Sequence, residues 1–132
     1  MLSSESYLQN FIIRNPLKPF TKLCAIEWYP VPKYSHCGKG DLVFKHPSGH
    51  QYLVVETKYL NHGTGRTART SRCKNRRKVK EKAERYGRLW SMNHPGTKVQ
   101  SAILVKEPGI VYPTLRMIWK NDDNQDWYRL DF

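Results

Sequence analysis

The sequence predicts an α/β fold of the α+β kind, with a mixed central sheet flanked by helices. Two apolar runs separated by a turn sequence indicate a β-hairpin, a later segment has helical periodicity, and a further apolar run follows that segment. The elements come in the order α-β-β-β-α-β with an additional C-terminal β-hairpin, which fits helices packed on a mixed sheet rather than an all-helical basic module. We expect one domain over residues 1–132, because the chain has the length of a typical single domain.

The first predicted elements are a short helix and a strand. Ser3 or Ser4 can cap a helix over residues 4–13. One face of this helix carries Tyr7, Leu8, Phe11 and Ile12. Residues 23–29 are apolar on both alternating sets apart from Glu27, which predicts a strand that is buried on both sides.

A hairpin and a helix form the middle of the chain. Residues 41–45 and 51–58 are rich in β-formers and flank a His-Pro-Ser-Gly turn sequence, so they predict two paired strands. Residues 75–90 predict a helix, because their apolar positions recur at helical spacing. These positions are Val79, Ala83, Tyr86 and Trp90. The preceding residues 61–73 lack apolar periodicity and contain glycines, threonines and serines, which predicts a basic loop.

Three more strands are predicted after this helix. Residues 101–105 form a continuous apolar run. Residues 114–119 and 127–132 are rich in strand formers and are separated by a polar turn at residues 121–126, so they predict the C-terminal hairpin.

Positive charge is concentrated in one segment. The net charge is +12 at pH 7, and residues 58–88 contain twelve Lys or Arg against Glu81 and Glu84. A field of this size favours a polyanionic partner, above all nucleic acid. Solvation of an exposed helix is the ordinary explanation of such charge, but a basic loop leading into a basic helix is suited to following a phosphate backbone. The candidate nucleic-acid-binding residues are Lys39, Arg66, Arg69, Arg72, Lys74, Arg76, Arg77 and Lys80.

Three carboxylates, those of Glu27, Asp41 and Glu56, interrupt segments that should be buried. A buried carboxylate is costly unless it is paired or bound to a metal. Glu56 and Lys58 are two residues apart on one strand and point to the same face, and Asp41 begins the partner strand. Converging carboxylates suit Mg²⁺ or Mn²⁺, and a neighbouring lysine could orient the attacking water in phosphodiester hydrolysis. A surface Glu–Lys pair, with Asp41 in a turn, is the alternative.

One pattern in the chain resembles a known nuclease signature. Asp41, followed after fourteen residues by Glu56-Thr57-Lys58, is similar to the D…ExK signature of the PD-(D/E)XK nuclease superfamily. The order of elements over residues 4–106 is similar to the core of that superfamily, and the local sequences resemble those of small Holliday-junction resolvases and restriction-like endonucleases. One difference is that Gly40, and not proline, precedes Asp41.

The resemblance implies a restriction-endonuclease-like core and a metal-dependent endonuclease. Asp41 and Glu56 would be metal ligands for Mg²⁺ or Mn²⁺, and Lys58 would be the catalytic lysine. An upstream glutamate is a common further member of such sites, and Glu27 is the first candidate for a catalytic metal ligand, with Glu5 on the first helix as the second. Small enzymes of this kind commonly act as homodimers, with one active site for each strand.

We therefore expect an enzyme that hydrolyses DNA and recognises backbone or branched structure more than sequence, because phosphate contacts position a protein without reading bases. An RNA endonuclease of the same fold and a noncatalytic basic nucleic-acid-binding protein are the alternatives. Tyr34, Tyr59 and Trp28 could stack on bases. The absence of a long apolar stretch predicts a soluble intracellular protein, and three cysteines without CxxC spacing predict reduced thiols.

Overall fold

The computed structural model of the protein describes residues 4–29, 38–60, 63, 65–118 and 127–129. Its helices and strands are α1 Ser4–Arg14, β1 Lys22–Trp28, β2 Gly40–Lys45, β3 Gln51–Tyr59, α2 Arg66–Asn93, β4 Lys98–Lys106, β5 Thr114–Ile118 and β6 Trp127–Arg129. The predicted order of elements is confirmed over this part of the chain. The predicted turn at residues 121–126 and the end of the last predicted strand lie outside the described residues.

The strands form one mixed sheet with the order β1-β2-β3-β4-β5-β6. Only β3 and β4 are parallel among the described strands, and α2 connects them as a crossover. The remaining neighbours pair antiparallel. Because β3 and β4 run in the same direction, their C-terminal ends lie at the same edge of the sheet. The candidate catalytic residues of β3 lie at this edge.

The two helices cover opposite faces of the sheet. Side chains alternate between faces along a strand, so neighbouring apolar residues contribute to different halves of the core. The half beneath α1 consists of Leu8, Ile12, Phe20, Leu42, Phe44, Leu53, Val55, Ala102, Leu104, Leu115 and Met117. The half beneath α2 consists of Leu60, Val79, Ala83, Ile103, Val105, Ile118, Val43, Tyr52, Val54, Tyr86 and Trp90. The continuous apolar runs in β2, β3 and β4 are explained by this burial on both faces.

The prediction that residues 23–29 are buried on both sides is wrong. This segment is β1, at one edge of the sheet, and Leu23 and Ile26 are 36% and 47% exposed. Its pairing with β2 shifts between Leu23 and Ala25, and Glu27 has a φ of 47°. Apolar residues at both odd and even positions of this strand therefore do not show that both of its faces are buried. Because β1 lies at the edge of the sheet, most of its residues are exposed to solvent.

The predicted loop at residues 61–73 is also partly wrong, because α2 begins at Arg66. Gly65, with a φ of 93°, precedes the first helical residue. Between Arg66 and Lys78 only Ala68 is buried, so this part of the helix extends beyond the face that packs on the sheet. Apolar periodicity detects only the packed part of a helix, and it found the part around Val79 and Trp90.

Gly40, immediately before Asp41, is buried against the indole ring of Trp28. The two residues are paired across β1 and β2. A Cβ atom at Gly40 would lie 2.5 Å from the Trp28 Nε1 atom. The Trp28 ring cannot easily move away, because it packs edge-on against Tyr86 and Trp90 at centroid distances of 5.8 and 5.0 Å. The glycine before Asp41 therefore has a packing reason.

We expect the substitution Gly40→Ala to lower the free energy of unfolding by about 1 to 3 kcal/mol, the usual cost of forcing an extra methyl group into a packed site. The measurement is chemical denaturation of Gly40→Ala, Trp28→Leu and the double variant. In the Trp28→Leu background the cost of the added methyl group should largely disappear. An equal cost in both backgrounds would show that the indole ring is not its cause.

Candidate active site

A cavity of about 680 Å³ lies at the end of the sheet where β2 begins and β3 ends. Its walls come from both helices and from the last residues of β3. The lining residues are Glu5, Leu8, Asp41, Thr57, Lys58, Tyr59, Leu60, Asn75, Lys78, Val79 and Lys82. The cavity is therefore formed by the elements on both faces of the sheet, and charged side chains make up much of its wall.

Asp41 and Glu56 lie side by side at this end of the sheet, with Asp41 in the cavity lining and Glu56 buried next to it. The β2–β3 register pairs Leu42 with Val55, so the next position outward places Asp41 opposite Glu56. The backbone N–H of Asp41 donates a hydrogen bond of 3.2 Å to Glu56 Oε1. The Glu56 side chain is fully buried and Asp41 is only 3% exposed. The expectation that these two carboxylates converge on one hairpin is met in the structure.

Thr57 fixes the orientation of the Asp41 carboxylate. Its backbone N–H and its hydroxyl both donate to Asp41 Oδ2, at 2.8 and 2.9 Å. Two donors on one oxygen hold the carboxylate in one orientation and leave its other oxygen to point elsewhere. The sequence did not single out Thr57, and the only signal available was its position between the two residues of the Glu-x-Lys pattern.

Glu56 carries an unsatisfied oxygen. Glu56 Oε2 is buried and has no hydrogen-bond partner among the described residues, and the Nζ of Lys82 lies 3.9 Å away. Burial raises the pKa of Glu56 from its ordinary value of 4.5 to about 9, with a further contribution from the negative charge of Asp41. In the absence of a bound cation, this carboxyl group therefore holds a proton at neutral pH.

Glu5 is the third carboxylate at the cavity. It lies in the first turn of α1 and lines the cavity, although its side chain is exposed. A hydrogen bond with Asp41 raises the pKa of Glu5, and burial and the charge of Asp41 raise it further. The first helix therefore contributes an acidic group directly beside Asp41.

Glu27, the first candidate for the upstream ligand, lies outside the cavity lining. Its side chain is half exposed and forms an ion pair of 3.4 Å with Lys39. The hydrogen bond from this pair raises the pKa of Lys39. The structure thus places Glu5, the second candidate, in the cavity wall and Glu27 in a surface pair.

Lys58 has the position that the Glu-x-Lys spacing predicts. It lies two residues after Glu56 on β3, on the same face of the strand, and its exposed side chain lines the cavity. A mobile ammonium group at a cavity mouth can approach an anionic substrate without first breaking a buried contact. Lys58 and the carboxylates are therefore placed around one space.

The α2 helix forms the opposite wall, which the sequence analysis missed. Asn75, Lys78 and Lys82 follow one another at spacings of three and four residues, and they line the cavity together with Val79. Val79 belongs to the apolar stripe by which the helix was predicted. The polar residues that border this stripe were therefore the sequence signal that could have identified the cavity wall. Their ammonium and amide groups make this wall attractive to phosphate.

The predicted basic residues divide into two groups. Arg66, Arg69, Lys74 and Arg77 are exposed on α2, and Lys80 is half-buried there. Three more have partners that the structure shows: Arg76 is ion-paired with Glu107, Arg72 donates to the Gly63 carbonyl oxygen at 2.7 Å, and Lys39 pairs with Glu27. The four exposed residues of α2 present their charge to solvent, where a polyanion can reach it.

The donor set at the base of the cavity fits a hard divalent cation. Carboxylate oxygens are the ligands that Mg²⁺ prefers, and a cation beside Glu56 Oε2 would satisfy a buried oxygen that otherwise has no hydrogen bond. In the arrangement seen here, no group of three or more His, Cys, Asp or Glu residues in the described part of the chain is preassembled around one point. Binding would therefore need small rotations of the carboxylates.

Comparison with known proteins adds no family assignment. No family model matches the chain, and no curated protein is significantly similar to it. Within the described segments, neither helix combines the length and apolar character that are needed to cross a membrane.

Proposed function

We propose that this protein is a metal-dependent nuclease that hydrolyses phosphodiester bonds in DNA. The observation that supports the proposal best is the convergence of Asp41 and Glu56 beneath a cavity that Lys58 also lines. Two buried carboxylates facing each other are unfavourable in a purely structural role, and the fully buried Glu56 has an oxygen without a partner. The restriction-endonuclease-like character of the core is part of this proposal.

Each residue of the cavity has a distinct role in the proposed reaction. Asp41 and Glu56, with Glu5 at the cavity wall, would hold Mg²⁺ or Mn²⁺, which supplies Lewis-acid activation of the phosphate when it is bound. Thr57 keeps the Asp41 carboxylate in place. Lys58 orients the attacking water and stabilises the negative charge that develops at phosphorus. Lys82 offsets part of the negative charge at Glu56.

The exposed basic face of α2 would bind the sugar–phosphate backbone. Contacts of this kind position a nucleic acid without reading its sequence, so we propose recognition of the backbone or of a branched structure. An RNA substrate and a noncatalytic binding role are the alternatives that a cleavage assay on matched DNA and RNA separates. A homodimer is a further proposal; its interface could be formed by the apolar C-terminal residues Leu130 and Phe132, which lie outside the described residues.

The two candidate upstream glutamates make a direct test of the site. We expect Glu5→Gln to reduce the metal-dependent cleavage rate by about 10-fold to 100-fold, the range typical of a weakened metal site. Glu27→Gln should change the rate by less than about threefold, because its partner is the surface residue Lys39 and screened surface pairs contribute little. Both rates are measured at saturating metal and again across a metal titration. The reverse order of effects would place Glu27 in the site.

The charge distribution along α2 predicts a difference between two exposed arginines on the same face. Arg77 lies in the half of the helix without acidic residues, whereas Arg88 lies near Glu84 and Glu81. The substitution Arg77→Ala should reduce the slope of log affinity against log salt by about 0.9, the value of one phosphate contact, and Arg88→Ala should reduce it less. Fluorescence anisotropy with a duplex in the absence of divalent metal measures both slopes. Equal slopes for the two variants would contradict an interface centred on the first half of α2.

A further inference from the structure

A row of three aromatic rings lies on the α1 side of the protein, in which the partly buried Phe11 packs on the core and its two neighbours are exposed. The rings of Tyr7 and Phe11 are 6.3 Å apart between centroids, and those of Phe11 and Tyr112 are 6.4 Å apart. We call these three residues the aromatic shelf. Tyr7 is 38% and Tyr112 is 52% exposed, and Val111 beside them is 76% exposed. Such a set of neighbouring apolar groups in solvent is typical of a binding surface.

The topology puts the aromatic shelf at the cavity end of the sheet. Tyr112 lies in the segment between β4 and β5, and β4 ends beside the end of β3, since Tyr59 pairs with Lys106. On α1, Tyr7 lies in the same turns as Glu5 and Leu8, which line the cavity, but on a different side of the helix. The end of β4 and the first turns of α1 therefore place the shelf at the same end of the sheet as the cavity.

The charges around the aromatic shelf are suited to a polyanion. Tyr7, Phe11 and Arg14 occupy positions i, i+4 and i+7 of α1, so the exposed guanidinium group of Arg14 continues the same helical stripe. The acidic residue of the β4–β5 segment, Glu107, is ion-paired with Arg76. A partner that presents flat apolar groups on an anionic backbone matches this combination.

We propose that the aromatic shelf stacks the unpaired bases of the nucleic acid whose backbone occupies the cavity. This inference rests on the proposed function, and it defines the substrate class as a nucleic acid with a single-stranded segment next to the bond that is cut. Aromatic side chains stack on any base, whereas bases inside an intact duplex are stacked on one another and cannot reach the shelf. The shelf differs from the aromatic residues first considered for stacking, of which Trp28 packs against Tyr86 and Trp90.

The test compares binding of a fluorescently labelled single strand and a duplex of the same length, without divalent metal so that nothing is cut. We expect Tyr112→Ala and Tyr112→Leu to weaken single-strand binding on the order of tenfold, the effect of losing one stacking contact, and to leave duplex binding within about twofold. Tyr112→Phe keeps the ring and should bind the single strand like the wild type. Met92→Ala is the matched control, because Met92 is 74% exposed but lies at the far end of α2.

Three outcomes would overturn the inference. The first is an unchanged single-strand affinity in Tyr112→Ala, and the second is a wild-type single-strand affinity in Tyr112→Leu. The third is the conversion of a dimer to a monomer by Tyr112→Ala in sedimentation equilibrium. This third result would assign the aromatic shelf to contact with a second copy of the chain. Because binding is measured separately from cleavage, the two proposals fail independently. Single-strand binding through the shelf without any cleavage contradicts the nuclease, whereas cleavage with unaffected Tyr112 variants contradicts the shelf.

Discussion

Replacing Asp41 by asparagine is expected to reduce metal-dependent DNA cleavage by at least about 10³-fold, since a Lewis-acid contribution of several kcal/mol is lost with the metal ligand. Asparagine keeps an oxygen that can accept the two hydrogen bonds from Thr57, so the local fold should be retained. Replacing Lys58 by alanine should reduce the rate by roughly 10²-fold or more through loss of charge stabilisation and water orientation. The measurement is a single-turnover cleavage rate at saturating protein.

The controls separate catalysis from binding and folding. Lys98→Ala removes an exposed lysine at the opposite end of the sheet, where β4 begins, and should cut at nearly the wild-type rate. DNA affinity without divalent metal should change by less than about threefold in Asp41→Asn, because the proposed interface takes most of its affinity from phosphate contacts on α2. Wild-type cleavage rates in both Asp41→Asn and Lys58→Ala would remove these residues from the active site.

The second large effect concerns stability and pH in metal-free protein. The pKa of Glu56 is raised to about 9 in the folded state and is near 4.5 in the unfolded chain. Between these two pH values, the folded and unfolded states therefore differ in the protonation of Glu56. Below pH 4.5 the group is protonated in both states and has no effect. Above it, the unfolded state releases a proton that the folded state retains, so stability falls as pH rises. Each pH unit costs about 1.4 kcal/mol, so up to about 3 kcal/mol is lost between pH 5 and 7.

Comparing the wild type with Glu56→Gln isolates this contribution. Glutamine is neutral at every pH and retains an oxygen for the N–H of Asp41, so the variant should be more stable than the wild type at pH 7 and should lack this pH dependence. Urea denaturation from pH 5 to 9, in the presence of a chelator, measures both. Glu27→Gln is the control for an exposed glutamate and should retain the wild-type slope. Parallel curves for the wild type and Glu56→Gln would contradict the buried, protonated state of Glu56.

Addition of Mg²⁺ or Mn²⁺ should reverse the pH trend in the wild type. A cation binds the deprotonated carboxylates of the folded state, so its stabilising effect increases as pH rises. The Glu56→Gln variant should gain little from the metal, because one of its ligands is lost. This comparison links the unpartnered Glu56 oxygen to the proposed metal site without any measurement of cleavage.

The part of the site built on the hairpin could be predicted from the sequence, because local rules determine it. The turn after β2 sets the register, the register places Asp41 opposite Glu56, and strand alternation places Lys58 on the same face as Glu56. None of these steps needs knowledge of how helices pack. The agreement therefore concerns geometry within one hairpin, and the catalytic role of these residues stays a prediction.

The parts that could not be predicted depend on packing between distant elements. Glu5 reaches the cavity because Leu8 and Ile12 pack α1 on the sheet, whereas Glu27 is directed to solvent because β1 lies at the edge. The spacing of acidic residues contains no information about either fact. Lys82 was likewise hidden in a run of basic residues, since only the position of α2 over β3 shows that it faces Glu56.

Metal-dependent DNA hydrolysis is tested by incubating the wild type with linear duplex, single-stranded and four-way-junction DNA, and with matched RNA, in the presence of Mg²⁺, Mn²⁺ or a chelator. We expect cleavage of DNA that requires the divalent metal, stops on chelation and is absent in Asp41→Asn. DNA and RNA that both remain intact at saturating protein and metal, although they are bound, would contradict it and leave a noncatalytic nucleic-acid-binding protein.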